Sequence, residues 1–145
     1  MRIFVDANIL IAVINKELPY YDACARVLSL KIFPKIEIFS SALSFGITAY
    51  FAEKKHGEKE TRKRMELLME NIKICNCGQP EVQQALENKK IGDLEDGVQY
   101  YAAKNSSCDY IVTYNQKDFF FSQLEVLLPE EMLGKCVYLI KNKKK

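Results

Sequence analysis

The sequence predicts an α/β fold built on a central parallel sheet with helices on both faces, and three observations carry that expectation. Short apolar runs at residues 3–5, 36–39, 72–75 and 110–113 read as buried strands. Segments of helical period separate them, and each connection is long enough for the crossover that parallel pairing requires.

Each element follows from its residues. Ile3, Phe4 and Val5 are apolar in succession, as in a strand buried on both faces, and residues 8–14 form a short helix directly after it. A turn at 15–19 leads to a helix over 20–30, where Tyr20, Cys24, Val27 and Leu28 keep the i, i+4, i+7, i+8 spacing. The second strand, 36–39, opens into Ser40 and Ser41, and Ser41 is an N-cap for a long helix over 42–55. The charged run 53–63 marks that helix's exposed end, Gly57 the turn, and 58–71 the next helix. After the strand at 72–75, Pro80 sits in the first turn of one helix and Asp93 opens another, which contains Tyr100 and Tyr101. The strand at 110–113 follows, and residues 136–140 are expected to add a fifth. No repeat or linker interrupts the 145 residues, so a single domain over 1–145 is expected.

Composition narrows the function classes. Apolar residues make up 48% and charged residues 28%, which excludes a disordered or fibrous chain. With 21 basic and 19 acidic residues the net charge is +2, too balanced for whole-molecule charge to declare a nucleic-acid partner. Any such site must be local. Lys141, Lys143, Lys144 and Lys145 read as a solvated tail. Cys24, Cys75, Cys77, Cys108 and Cys136 lack CxxC spacing and read as reduced thiols. No apolar stretch approaches the roughly 20 residues that span a bilayer, and Arg2, Asp6 and Asn8 interrupt the first fourteen residues, so neither membrane association nor a signal peptide is expected. The expected location is cytoplasmic.

The chemistry lies in the carboxylates. Asp6 closes the first strand, at the end where open α/β sheets place ligands. A solvated aspartate should not end an apolar strand unless the site uses it. Asp93 and Asp96 share one face of a helix's first turn, and Asp118 follows the strand at 110–113. Converging carboxylates repel one another, and a hard divalent cation with oxygen ligands removes that penalty. Such a cation acidifies water and offsets charge on a phosphate, which is phosphodiester hydrolysis without a histidine. Each acid also has a plainer role. Asp93 with Asp96 makes an N-cap and an acidic first turn, Asp118 can cap the turn at 118–121, and Asn8 can bond the strand-helix turn and hold Asp6. His56 reads as surface, and Tyr100 and Tyr101 as packing. No glycine-rich phosphate loop follows any strand, which argues against a nucleotide-binding enzyme. A phosphoacceptor receiver domain needs an aspartate after strand three, where this chain has Cys75-Asn76-Cys77.

Val5-Asp6-Ala7-Asn8, Asp93-Leu94-Glu95-Asp96-Gly97-Val98-Gln99 and Tyr110-Ile111-Val112-Thr113-Tyr114-Asn115-Gln116-Lys117-Asp118-Phe119 together resemble the PIN-domain family, in order and in spacing. Ser40-Ser41-Ala42-Leu43-Ser44 is similar to the family's segment leading into its third helix. The resemblance spans nearly the whole chain. It implies a three-layer α/β/α fold and an acidic site for Mg²⁺ or Mn²⁺ that cleaves RNA. It also implies a toxin of the VapC type, with a cognate antitoxin and a homodimer. Carried over residue by residue, it assigns Asp6, Asp96 and Asp118 to catalysis and Asp6, Asp93 and Asp96 to metal. Asn8, Ser41, Thr113 and Asn115 support them. The fourth acid falls on Asn115, an amide here, or is supplied by Asp118. Where the family places a third-helix glutamate, this chain has Ile47 within Phe45-Gly46-Ile47-Thr48. Two functions follow as expectations: a metal-dependent endoribonuclease, or a catalytically degenerate PIN fold that binds RNA or protein.

Overall fold

The strands of this chain are short and the central ones, β1 and β4, are mostly buried and apolar, as in a sheet covered on both sides. The computed structural model describes residues 1–142 and shows that arrangement. Strands β1 (Arg2–Val5), β2 (Glu37–Ser41), β3 (Lys73–Cys75), β4 (Tyr110–Val112) and β5 (Glu125–Leu127) form one parallel sheet in the order β3-β2-β1-β4-β5. The period-2 alternation of side chains divides the core. Ile3, Val5, Ile38 and Val112 face one apolar cluster, and Phe4, Phe39 and Ile111 face the other.

The helices are α1 (Ala7–Ile14), α2 (Tyr21–Ser29), α3 (Ala42–His56), α4 (Glu58–Met69), α5 (Gln79–Glu87), α6 (Leu94–Asn105) and α7 (Pro129–Asn142). Residues of α1, α2, α4 and α7 fill the first cluster. Tyr100, Ala102 and Ala103 of α6 fill the second. The result is three layers, α/β/α. From β1 the chain builds outward through β2 and β3, then returns to β1's other edge to lay down β4 and β5. The order therefore reverses between β1 and β4, and the carboxyl ends of those two strands open a crevice there.

Local chemistry sets where the helices begin. Asp6 accepts from the Ala7 N–H at 2.8 Å and starts α1 with no intervening loop. Ser41 accepts from the Ser44 N–H at 2.9 Å and starts α3, as the sequence predicts. The Ser41 hydroxyl in turn donates to Gln99 Oε1, which ties the start of α3 to α6. Gly57 has φ +76° in the turn from α3 to α4, a conformation that favours glycine. Gly97 is different: its backbone is ordinary, but a Cβ there would lie 2.8 and 2.9 Å from Ile91 side-chain carbons and 3.2 Å from Ala85 Cβ. It lets α6 pack closely on α5.

The expected fifth strand at 136–140 is corrected. Those residues belong to α7, which buries Pro129, Met132 and Cys136 at i, i+3, i+7 spacing and leaves Val137 and Tyr138 exposed. The β-branched and aromatic run is only the helix's outer face and its end. The actual fifth strand, Glu125–Leu127, is too short to carry a period of its own. It exists because its backbone pairs with β4. Lys141 lies in α7, and the expected tail at Lys143, Lys144 and Lys145 lies outside the described residues. The five cysteines are unpaired, and all but half-buried Cys77 are buried. No helix among the described residues is long and apolar enough to cross a membrane.

Two stability outcomes follow. Gly97→Val should cost about 1–3 kcal/mol through overpacking, read as a lower melting temperature, because Ile91 can rotate away but Ala85 Cβ cannot. Ser41→Ala removes the α3 cap and leaves Gln99 Oε1 buried without its donor, so chemical denaturation should show a loss of about 2 kcal/mol.

Candidate active site

Asp6 stands at the end of β1, 7% exposed, where the chain turns into α1. A buried carboxylate needs hydrogen bonds to both oxygens, and here it has them. Oδ1 accepts from the Ala7 N–H at 2.8 Å; Oδ2 accepts from the Thr113 hydroxyl at 3.0 Å and from Asn8 Nδ2 at 3.4 Å. The Asp6 backbone N–H donates to Val112 O at 3.0 Å, so β1 and β4 are still paired where the carboxylate leaves the sheet. Thr113 is fully buried, and its hydroxyl oxygen also accepts from Asn8 Nδ2 and the Asn115 N–H, each at 3.0 Å. Asn8 Oδ1 accepts from the Tyr114 N–H at 3.3 Å, which fastens α1's first turn to the β4 end. Burial pushes the Asp6 carboxyl above the usual carboxylate range, the Ala7 and Thr113 hydrogen bonds pull it down, and the charges of Glu95 and Asp118 push it up further.

Asp96 is half-buried in the first turn of α6. Its carboxyl is pushed up to about 7, first by burial and then by the charges of Asp93, Asp6, Asp118 and Glu95. Four acidic side chains thus act on Asp96, with no basic group among the causes. Asp93 is exposed and engaged as the N-cap of α6; its Oδ1 accepts from the Glu95 N–H at 2.9 Å and the Asp96 N–H at 3.4 Å. Asp118 is exposed in a 3₁₀ turn, Gln116–Phe119, and its charge reaches both Asp6 and Asp96. The side-chain capping expected of Asp118 is not seen: the turn begins at Gln116, two residues before the expected one, and Asp118 lies within it. Asn115 precedes that turn, and it lines a pocket with Asn8, Ala12, Glu17, Tyr20 and Tyr114. Ser41 lies buried behind the crevice, bonded to Gln99 rather than to the acids.

Two residues escaped the sequence reading. Gln99 is fully buried and belongs to the α3–α6 tie. Its signal was a polar residue three positions after Asp96, on the helix face that turns inward. Glu95 acts electrically on both Asp6 and Asp96, and its signal was the density of acids in the run Asp93-Leu94-Glu95-Asp96. Ile47 on α3 lines a groove with Ala42, Leu43, Gly46, Tyr50, Phe51 and Glu95.

The donor set is oxygen only. Among the described residues no three His, Cys, Asp or Glu side chains stand together in a ready-made metal cage. Mg²⁺ needs no such cage, because it keeps several waters and takes one or two carboxylates together with substrate phosphates. Uncompensated negative charge at Asp96 suits a hard cation for the same reason it raises the carboxyl's pKa. Asp6 and Asp96 fit such an ion; Asp93 and Asp118 lie within electrostatic reach.

The chain is similar to known proteins along most of its length. The chain is 26% identical over 134 residues to ribonuclease VapC1 of Aquifex aeolicus (strain VF5), covering 90% of this chain and 92% of that protein. Among solved structures, VapBC-1 from nontypeable Haemophilus influenzae matches with a TM-score of 0.68 at 17% identity, over 90% of this chain and 99% of the other. VapBC2 from Rickettsia felis, solved bound to a DNA fragment from their promoter, matches with a TM-score of 0.67 at 20% identity, over 88% and 98%. At those identities the structures speak for the fold alone. The PIN domain family model matches residues 2–117, a span that holds β1 to β4 and every acid of the crevice except Asp118, and the chain belongs to the PIN-domain family.

Proposed function

We propose that the chain is a divalent-cation-dependent endoribonuclease and the toxin of a VapC-type toxin-antitoxin pair. One observation carries the reading: a buried, doubly hydrogen-bonded Asp6 lies within the field of a half-buried Asp96 at the sheet's switch point. The sequence relative named a ribonuclease, matched along 90% of this chain, supports the same reaction.

Asp6 and Asp96 would hold Mg²⁺ or Mn²⁺, with Asp93 or Asp118 completing the acidic wall. When bound, that ion supplies Lewis acidity, lowering the pKa of water and offsetting charge on the scissile phosphate. The chain's own groups set the geometry. Ala7 N–H and Thr113 fix which way Asp6 faces, and Asn8 keeps Thr113 in register. Ser41 and Gln99 hold α6, and with it Asp96, at its depth beside β2 and α3. Asn115 contributes its N–H to Thr113, a supporting role through the backbone.

An RNA strand would approach the open side of the crevice. A cognate antitoxin would cover the adjoining pocket of Asn8, Glu17, Tyr20 and Tyr114 beside α2, blocking that approach; the VapBC assemblies named above support such a partner. A homodimer belongs to the same reading. The apolar Ile47 on α3 favours a second one, a PIN fold that binds RNA or protein without cutting it.

Labelled RNA incubated with the protein should be cleaved in Mn²⁺ or Mg²⁺ and not in EDTA. Asp6→Asn keeps an acceptor for the Ala7 N–H and should fold, yet lose cleavage; cleavage that persists in the variant would sink the assignment. The Asp96 carboxyl also sets a pH dependence. Its pKa is raised on folding from 3.8 to about 7, so the native state retains a proton that the unfolded chain releases, and stability falls as pH rises through that window. In EDTA, Asp96→Asn should therefore melt above the wild type at pH 8, with the difference closing near pH 4. Added Mn²⁺ should raise the wild-type melting temperature more than the variant's.

A further inference from the structure

We infer that the outer face of α3 docks a second copy of this chain, in an antiparallel two-fold pairing that sets Lys54 of the second copy beside Glu95. The inference rests on the homodimer included in the reading above and fixes the face that forms it. The residue pattern of α3 is inverted. The side chains that α3 buries completely, Ser44, Thr48 and Ala52, are all small. Its outer stripe is Leu43, Gly46, Ile47, Tyr50, Phe51 and Lys54, at the i, i+3, i+4, i+7, i+8, i+11 spacing of one helix face. Tyr50 is 55% exposed and Phe51 45%. A surface helix ordinarily turns its large apolar groups inward, so a stripe of them facing outward marks a contact with another molecule.

The stripe also has the symmetry of a two-fold contact. Across such an axis one patch meets itself, so residue i opposes j while j opposes i. An axis between Thr48 and Ala49 sets Leu43 against Lys54, Gly46 against Phe51 and Ile47 against Tyr50, each pair equidistant from it. The pairs are complementary in size. A Cβ on Gly46 would meet nothing within 4 Å, so the glycine leaves an open notch for the Phe51 ring of the second copy. The two ends of the stripe are complementary in charge. Glu95 lines the groove with Leu43, Gly46, Ile47, Tyr50 and Phe51. Gln99, one turn further along α6, is bonded to Ser41 at the start of α3, so Glu95 stands at the amino end of the stripe. Lys54 stands at the carboxyl end, its ammonium 4.3 Å from the Tyr50 ring centre. Neither forms an ion pair among the described residues. Antiparallel pairing brings them together twice in the dimer. The second copy thereby contributes a positive charge to the first turn of α6, where Asp93, Glu95 and Asp96 carry only negative ones. A nucleic-acid strand fits this face less well, because Glu95 would stand against its phosphates.

Sedimentation velocity of the full chain over a concentration series, in EDTA and about 0.1 M salt, tests the pairing. The wild type should be a dimer. Gly46→Leu should keep its far-UV circular dichroism spectrum, because the space beside the residue is open and leucine suits a helix interior, yet fill the notch and leave a monomer. Lys54→Glu and Glu95→Lys should each weaken the dimer about tenfold or more, since like charges then face each other at both ends of the contact. Combined in one chain, the two substitutions should restore it. A Gly46→Leu chain that dimerises like the wild type, or a double variant no tighter than the single ones, would overturn the inference. So would a monomeric wild type, including one that binds a labelled single-stranded RNA and loses it in Phe51→Ala, which would make the face a base-stacking platform. Cleavage by the wild type and its loss in Asp6→Asn are read separately, so the nuclease reading stands or falls without this interface.

Discussion

The hydrogen bond from the Thr113 hydroxyl to Asp6 is the constraint on which the site depends. It spans the one place in the sheet where the strand order reverses, and it joins the ends of β1 and β4 just beyond their last paired residues. Without it Oδ2 of the buried Asp6 carboxylate would keep only the longer contact from Asn8 Nδ2 at 3.4 Å, and a poorly satisfied buried charge is costly or takes up a proton. The same hydroxyl oxygen receives Asn8 and the Asn115 N–H, so one small side chain organises the start of α1, the end of β4 and the loop that leads to Asp118.

Around that anchor the molecule tolerates an electrostatic arrangement that works against its own stability. Burial and four neighbouring acids hold Asp96 near neutrality, and folding must press these groups together against their repulsion. The force comes from packing away from the site. α6 is drawn onto α5 through Gly97, where any side chain would collide with Ala85 and Ile91, and it is tied to the start of α3 through Gln99 and Ser41. Tyr100, Ala102 and Ala103 then seat the remainder of α6 on the face of the sheet that carries Phe4, Phe39 and Ile111. The stability cost is local and the compensation is spread through the core. Crowded like charge of this kind, set in a crevice at the strand ends, marks a candidate functional site.

The legible parts of this protein were those in which a few consecutive residues decide the outcome. The run from Ile3 to Val5 read as a two-sided buried strand, and Asp6 directly after it marked that strand's carboxyl end, where open α/β sheets place ligands. Ser41 and Asp93 announced helix starts through their own side chains, and both caps are formed as read. The carboxyl-terminal region was misread for an equally local reason. Cys136-Val137-Tyr138-Leu139-Ile140 has the composition of a strand, yet burial follows every third or fourth residue from Pro129 onward, and that period is seen only over the longer window. Glu125 to Leu127 carries no signal of its own, because three residues on an edge take their structure from the strand beside them.

The sequence by itself determined the fold class, the first four strands and the caps at Ser41 and Asp93, since all of these follow from side-chain chemistry and short-range periodicity. It could not determine which acids would meet. Asp6 and Asp96 are ninety residues apart in the chain, and the field that lifts Asp96 to about 7 exists only once the sheet has brought α6 beside β1. Nor could it assign different duties to Asp93, Glu95 and Asp96, whose neighbouring positions look alike in the chain. The tertiary structure separates them because a helix turns by about 100° per residue. One acid is spent on the backbone, one is directed into the crevice, and one is left facing the apolar wall of α3.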